Sequence, residues 1–207
     1  MASEIVALVD YGAGNLRSVE NALRAAGAGA IAVTADPAVV CAADRVVLPG
    51  VGAFASCMGA LSAIDGMIAA MDEAVHQRGV PFLGICVGMQ LLADAGHEYG
   101  RHPGLGWIGG TVRKLAPGDP HLKVPHMGWN DVTPTRDHPL IASGEAYFLH
   151  SFAFEDMDGS ALLAQTDHGG RVTAAVGRDT IVGVQFHPEK SQGYGLSFLG
   201  RFLEWRP

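Results

Sequence analysis

The sequence predicts an α/β fold with a mostly parallel central sheet, helices on both faces and an added antiparallel portion. Two observations support this fold class. In the first half of the chain, apolar runs of strand length alternate with runs of helical periodicity, as in parallel sheets covered by helices. From Trp107 onward, the segments become shorter and richer in residues that favour strands. We expect one domain spanning residues 1–207, because chains of this length commonly form a single core.

The first half of the chain is predicted to begin with a strand at residues 4–9, followed by a helix. That helix has Asn15 at a position suited to an N-cap, and it ends at Gly27. A second helix carries apolar residues at helical spacing over residues 64–75. Further strands are predicted at residues 31–34, 45–48 and 80–85.

The second half of the chain is predicted to supply the antiparallel portion. A closing helix is expected over residues 195–205, with Phe202 and its leucines facing inward. Sites in sheets of this class lie at the carboxyl ends of strands, so functional residues are expected there. The predicted strands of this half are residues 111–115, 146–154, 161–166, 172–176 and 181–186.

Composition and charge exclude several kinds of partner. The net charge is −7 and the pI about 5.6, so a phosphate backbone would be repelled and nucleic acid is not expected as a ligand. The uncharged stretch 46–64 is broken by glycines and a proline, which fits a turn and a buried helix better than a membrane span. The first apolar run of the chain is too short and too acidic for a signal peptide. The three cysteines cannot all form disulfides within the chain, which fits a reducing compartment. We therefore expect a cytoplasmic protein with no membrane partner.

Residues 84–88, Gly-Ile-Cys-Val-Gly, have the spacing of a nucleophile elbow. Glycines two positions before and after Cys86 would relieve crowding in a sharp strand-to-helix turn and expose its sulfur. A helix through residues 89–92 would place Cys86 at a helix N-terminus, which favours the thiolate. The segment therefore predicts a nucleophilic cysteine, and a buried, inert cysteine is the alternative interpretation.

Residues 187–189, His-Pro-Glu, follow the strand predicted at residues 181–186. A nucleophilic thiol needs a base, and the base needs a group that orients its ring. His187 would lie at the end of a strand, as Cys86 does, and Glu189 could accept a hydrogen bond from the far ring nitrogen. Most histidines in the chain fit surface or structural roles, so this prediction depends on the pairing with the elbow.

Acyl transfer creates an oxyanion, which preorganised N–H groups can stabilise. The N–H of Val87 is one donor that the elbow would supply. A second could come from the turn at residues 49–52, Pro-Gly-Val-Gly, which follows the strand at residues 45–48. An ordinary glycine-rich turn is the alternative for these four residues.

Together, the glycine-rich turn, the cysteine elbow and the His-Pro-Glu segment resemble the class I (triad) glutamine amidotransferases, whose α/β fold is flavodoxin-like. The resemblance covers nearly the whole chain and keeps the three elements in the family's order. Within that family, five segments are similar to the glutaminase subunits of imidazole glycerol phosphate synthases, which act in histidine biosynthesis: residues 10–16, 49–54, 125–130, 147–151 and 187–191.

The resemblance implies a triad that hydrolyses glutamine to glutamate and ammonia through a thioester. Cys86 would attack the side-chain amide, His187 would shuttle the proton, and Glu189 would orient His187. By the family pattern, backbone N–H groups at Val51, Gly52 and Val87 would form the oxyanion hole, and the glutamine would be held by Gln90, Glu98 and the backbone of Ser151 and Phe152. Val87 stands where leucine is frequent and Phe152 where tyrosine is frequent, which puts in doubt only a side-chain hydrogen bond at Phe152.

The resemblance also implies a heterodimer with a (β/α)₈-barrel cyclase subunit, to which ammonia would pass through a channel. The cyclase would combine ammonia with a phosphoribulosyl-formimino aminoimidazole carboxamide ribonucleotide. Its products would be imidazole glycerol phosphate and aminoimidazole carboxamide ribonucleotide. No cofactor and no metal are implied. The residues expected at or near the subunit interface are Asn15, Met127, Trp129 and Lys190.

Four other readings fit the sequence less well. Gly12 and Gly14 after a strand suggest a dinucleotide loop, but Arg17 occupies the position of the third glycine. The histidines share no metal-ligand spacing with cysteine, which disfavours zinc. Residues 10–15 and 126–130 speak against the glutaminase of another amidotransferase, such as a pyridoxal phosphate or anthranilate synthase. The intact triad residues speak against a non-catalytic binding subunit.

Overall fold

The structure is a computed structural model that describes residues 4–207, so residues 1–3 of the predicted domain lie outside it. Its strands in chain order are β1 (Ile5–Val9), β2 (Ala30–Thr34), β3 (Arg45–Gly50), β4 (Phe82–Cys86), β5 (Ala95–Gly96), β6 (His102–Pro103), β7 (Thr111–Lys114), β8 (His126–Pro134), β9 (Gly144–His150), β10 (Phe152–Glu155), β11 (Leu162–Asp167), β12 (Arg171–Arg178) and β13 (Ile181–Val184).

The first predicted helix is present as α1 (Leu16–Ala25). Asn15 occupies its N-cap position, but the Asn15 side chain makes no capping hydrogen bond. The helix predicted over residues 64–75 begins at Met67, because Gly66 before it has a left-handed backbone with φ of +77°. One π-helical turn, Glu73–Gln77, continues that helix. That helix is α4 (Met67–Asp72), and the other α-helices are α2 (Pro37–Ala42), α3 (Phe54–Ser62), α5 (Val87–Gln90) and α6 (Gln192–Glu204).

Nine strands form the central sheet, in the order β2-β1-β3-β4-β13-β12-β11-β8-β9. The pairings from β2 to β13 are parallel, and those from β13 to β9 are antiparallel. The predicted α/β fold with an antiparallel portion is confirmed, and that portion supplies four of the nine strands. A smaller sheet has the order β10-β7-β5-β6.

The second half of the chain differs from the prediction in two strands. β8 was missed, because a glycine and several polar residues interrupt its apolar pattern. The strand predicted at residues 146–154 is two strands that meet at Ser151. β9 pairs with β8 in the central sheet, whereas β10 pairs with β7 in the smaller one. Ser151 is therefore the point at which the chain passes from one sheet to the other.

The uncharged stretch 46–64 contains most of β3, a turn and α3. α3 buries Phe54, Cys57 and Leu61 in the core. Within residues 4–207, no single helix is long and apolar enough to cross a membrane. α3 and the helical segment Met67–Gln77 pass that test only as a pair, and the pair is bent by 92°.

Three neighbouring parallel strands end at one edge of the central sheet. β3 and β4 are paired so that Gly50 lies opposite Cys86. On the other side of β4, Val184 at the end of β13 lies opposite Ile85, and His187 follows three residues later. The carboxyl ends of these strands thus bring the predicted nucleophile, base and glycine-rich turn to the same edge.

Candidate active site

Cys86 lies in a strained turn between β4 and α5. Its φ of +54° and ψ of −112° are values that residues with a side chain rarely adopt. The glycines on either side are required by close packing: a Cβ at Gly88 would lie 1.9 Å from the carbonyl oxygen of Leu48, and one at Gly84 would lie 2.6 Å from the carbonyl oxygen of Gly88. The backbone geometry is that of a nucleophile elbow.

The elbow differs from the prediction in two respects. The helix after Cys86 is a single turn, α5, so any contribution of a helix dipole is small and the local N–H groups of that turn remain. Cys86 itself is only 4% exposed. It lines a cavity of about 690 Å³, so access to its sulfur is through this cavity.

His187 and Glu189 form a buried pair beside Cys86. The Nδ1 atom of His187 lies 2.8 Å from Oε1 of Glu189. Burial alone would lower the pKa of His187. Hydrogen bonds to Cys86 and Glu189, and the negative charge that both can carry, outweigh burial and raise the pKa to about 10. The arrangement therefore favours a protonated imidazole beside Cys86.

The glycine-rich turn at residues 49–52 borders the same cavity, through Val51 and Gly52. The hydroxyl of Tyr11 donates to the carbonyl oxygen of Pro49 at 2.7 Å and fixes the start of the turn. The carbonyl oxygen of Val51 accepts a hydrogen bond from the Cys57 thiol at 3.5 Å. In a trans peptide the N–H points opposite to the C=O, so the N–H of Gly52 points away from Cys57.

The comparison with family models decides the family. The model for class-I glutamine amidotransferases matches residues 7–203. The chain belongs to the class-I glutamine amidotransferase family. It is 68% identical over 209 residues to a protein from Zymomonas mobilis named imidazole glycerol phosphate synthase subunit HisH, with 100% of this chain and 98% of the relative covered. A Rhodospirillum rubrum protein of the same name is 57% identical, with 98% and 99% covered.

Solved structures agree with the fold of this amidotransferase. A crystal structure of a glutamine amidotransferase superposes with a TM-score of 0.73 at 18% identity, covering 96% of this chain and 97% of the other. A structure of PurLQS from Thermotoga maritima gives a TM-score of 0.71 at 18% identity, covering 98% and 97%. At this level of identity the similarity supports the fold alone.

The cavity of the amidotransferase also contains all four residues predicted to hold glutamine: Gln90, Glu98, Ser151 and Phe152. Glu98 accepts a hydrogen bond from the N–H of Phe54 at 2.8 Å, so its carboxylate also fixes the start of α3. The carbonyl oxygen of Phe152 already accepts from Gln90 at 3.0 Å and from His150 at 2.8 Å. Because both lone pairs of that carbonyl oxygen already accept hydrogen bonds, a substrate would have to hydrogen-bond to other backbone atoms of this strand. The role of these residues in binding stays a prediction.

The residues predicted at a subunit interface lie on the surface. Met127 and Trp129 on β8 are 62% and 46% exposed, unusual values for large apolar side chains. Tyr147 connects two of the predicted residues. Its ring centroid lies 6.1 Å from that of Trp129 and 5.8 Å from the Nζ atom of Lys190. Asn15 is exposed at the start of α1. Contact with a partner stays a prediction for all four.

Three buried polar residues near the cavity were not predicted to have a role. Gln185 follows β13, and His126 and His150 face each other across β8 and β9. Gln185 could have been found as the one amide side chain in the otherwise apolar run at residues 181–186. The contact between the two histidines depends on the pairing of β8, which the sequence did not predict.

Within the described part of the chain, no group of three His, Cys, Asp or Glu side chains is placed to hold a metal ion. Cys41, Cys57 and Cys86 are all free thiols.

Proposed function

We propose that this amidotransferase is the glutaminase subunit of an imidazole glycerol phosphate synthase. The observation that carries the glutaminase activity is the placement of Cys86, in a strained elbow, beside the buried His187–Glu189 pair at one cavity. The full-length similarity to two relatives that bear this subunit's name supports the assignment to the synthase.

In the proposed reaction, the Cys86 thiolate attacks the side-chain carbonyl carbon of glutamine. The oxyanion is stabilised by N–H groups at Val87 and at the Val51–Gly52 turn. His187 donates its proton to the leaving nitrogen, ammonia departs, and a thioester remains. His187 then accepts a proton from water, whose oxygen attacks the thioester and releases glutamate. Glu189 keeps the His187 ring in one orientation through both steps.

The ammonia would serve a second subunit, a (β/α)₈-barrel cyclase. The exposed apolar side chains of Met127 and Trp129 suit a surface that a partner covers. Lys190 lies next to Glu189 on one short helical turn, so a partner that binds Lys190 would contact the turn that carries this triad residue. Ammonia would reach the cyclase without release to solvent and would be used to make imidazole glycerol phosphate.

Replacement of Cys86 tests this function in the complex with the cyclase. Cys86→Ala should reduce glutamine-dependent turnover by at least roughly 10³-fold, because a nucleophile is removed. Turnover with an added ammonium salt should stay near the wild-type value. Cys41→Ala, which removes a half-buried thiol on α2, is the matched control and should leave both activities intact. Equal loss of both activities in Cys86→Ala would mean that Cys86 is structural.

A further inference from the structure

Gln185 places a side-chain amide against the sulfur of Cys86. The residue is fully buried, and its backbone N–H donates to the carbonyl oxygen of Ala174 at 2.8 Å. Its Nε2 atom lies 3.6 Å from the Cys86 sulfur, and its Oε1 atom lies 3.0 Å from Nε2 of Gln90. The side chain of Gln185 therefore joins the reactive sulfur to a residue of the cavity wall.

The hydrogen-bonding partners determine which end of the Gln185 amide faces the sulfur. The carbonyl oxygen of Phe152 can only accept, so the Gln90 atom 3.0 Å away must be its NH₂ group. The same nitrogen is 3.0 Å from Gln185, whose atom there must then be the oxygen. The NH₂ group of Gln185 is left to face Cys86.

Two neutral histidines hold the Phe152 carbonyl in place. His150 donates its Nδ1–H to that carbonyl at 2.8 Å, and its Nε2 accepts from Nδ1–H of His126 at 3.1 Å. Burial, as the largest influence, lowers the pKa of both rings to about 4, so both are neutral at pH 7 and each can accept at its second nitrogen. Asn130 completes the chain by donating to Nε2 of His126 at 3.1 Å.

The network has one consistent set of proton positions. The Oδ1 atom of Asn130 accepts the N–H of Asp131 at 2.8 Å, so its NH₂ group is the end that meets His126. Reversal of any one side chain would place two acceptors or two donors against each other. The orientation of Gln185 is thus set by Gln90 on α5, and that of Gln90 by a chain of partners on β10, β9 and β8 that lie far from the elbow in sequence.

We propose that Gln185 is a further catalytic residue, which donates an N–H hydrogen bond to the Cys86 sulfur whenever that sulfur carries negative charge. This inference rests on the proposed function, in which Cys86 is the nucleophile. Before the substrate is attacked, the bond stabilises the negatively charged form of the sulfur beside protonated His187. Hydrogen bonds to a charged acceptor are stronger than those to a neutral one, so the donor acts most on the charged forms of the sulfur.

The same bond assists release of the enzyme from the thioester. When water attacks the acyl carbon, its proton goes to His187 and a new C–O bond forms. The C–S bond then breaks, and its electron pair goes to the Cys86 sulfur as a thiolate. Gln185 stabilises that leaving group through its N–H, together with the protonated His187 beside the sulfur.

The rate of Cys86 alkylation by iodoacetamide tests this role on the full chain. Peptide mapping by mass spectrometry separates Cys86 from Cys41, which serves as the internal reference thiol. The rate is measured across a pH series, and we expect Gln185→Met and Gln185→Leu to move the midpoint of the pH profile of Cys86 alkylation upward by about one pH unit, the effect of one hydrogen bond to a charged group. Thr173→Val is the matched control, because it removes another buried hydrogen bond, from Thr173 to the Phe154 carbonyl at 2.8 Å, that does not reach Cys86.

The outcomes separate this inference from the proposed function. If wild-type Cys86 reacts no faster than Cys41, the proposed nucleophile is wrong. If wild-type Cys86 is reactive and either folded Gln185 variant moves that midpoint upward by less than about half a pH unit, the role of Gln185 is wrong. The wild-type chain offers a measurement that needs no substitution: the ¹H–¹⁵N signal of the Gln185 side-chain amide should move when Cys86 is alkylated. An unchanged signal would equally overturn the proposal.

Discussion

The parallel and antiparallel halves of the central sheet position the site in different ways. In the parallel half, β3, β4 and α5 approach so closely that a methyl group at Gly88 would lie 1.9 Å from the Leu48 carbonyl oxygen. In the antiparallel half, polar side chains such as His126 and His150 are buried and joined by hydrogen bonds about 3 Å long. Backbone packing fixes the nucleophile, and a polar network fixes the opposite wall of the cavity.

This difference shows how each half should respond to substitution. Packed backbone atoms cannot rotate away as a side chain can, so an added atom must displace a strand. A hydrogen-bonded network can keep its geometry if a substitute supplies the same donors and acceptors, and its stability depends on protonation. We therefore expect steric sensitivity near Cys86 and pH sensitivity near His126.

The largest effect is expected from Gly88→Ala. The new Cβ would overlap the carbonyl of Leu48 in a central strand, and the carbonyl cannot rotate away. We expect a loss of more than about 3 kcal/mol in the free energy of unfolding, measured by urea denaturation, together with loss of glutaminase activity.

Gly59→Ala is the matched control for that substitution. Gly59 lies inside α3, and no atom lies within 4 Å of its added Cβ. Alanine favours the helix there, so this variant should gain about 0.5–1 kcal/mol. If both variants were destabilised alike, close packing would not be the reason for the glycine at position 88.

A smaller effect, confined to activity, is expected from Glu189→Gln. Glutamine keeps an oxygen acceptor for Nδ1 of His187 and removes only the negative charge. The protonated form of His187 loses support, so we expect kcat to fall roughly 10- to 100-fold while KM for glutamine changes little. Steady-state glutaminase kinetics of the complex measure both.

Glu189→Ala removes the acceptor as well as the charge and should be worse than Glu189→Gln. Equal rates in the two variants would show that charge alone matters and that orientation of the His187 ring does not. The comparison thus divides the contribution of Glu189 into geometry and charge within the parallel half.

The sequence predicted the parallel half of the site better than the antiparallel half. The elbow at residues 84–88 and the His-Pro-Glu segment are contiguous, and their glycine spacing and strand context are local signals. The length of α5 was overestimated, because an apolar run does not show where one helical turn stops. The family resemblance supplied roles for these residues, and the structure supplied their distances.

The antiparallel half depends on contacts that are distant in sequence. His126 meets His150 only because β8 pairs with β9, and β8 lacks the alternation that marks a strand. Gln185 contacts Gln90, which lies 95 positions earlier, and no local pattern specifies that contact. Buried polar networks are therefore the part of this site that required a structure.

The smallest effect is expected in the acid stability of the antiparallel half. The folded chain holds the pKa of His126 near 4, mainly by burial, whereas an unfolded histidine titrates near 6.5. Between these values the unfolded chain binds the proton and the folded chain does not, so stability falls as the pH drops from 6.5 to 4. The pKa of His187 is shifted the other way, to about 10, so its contribution to the free energy of unfolding is lost only above pH 6.5. His187 therefore does not change how stability varies between pH 6.5 and 4.

His126→Gln should remove part of that acid slope, because glutamine can replace the donor and the acceptor of the ring but cannot bind a proton. We expect the free energy of unfolding to fall less steeply in this variant, by roughly 1 kcal/mol per pH unit, which is less than the full 1.4 for one proton. Urea denaturation at pH 7, 6, 5 and 4 measures the slopes, with His121→Gln on an exposed turn as the surface control. If the free energy of unfolding fell equally steeply with pH in wild type and His126→Gln, the protonation of His126 would not be the cause of the loss of stability in acid. The polar half would then resemble the packed half, whose stability depends on contact rather than on charge.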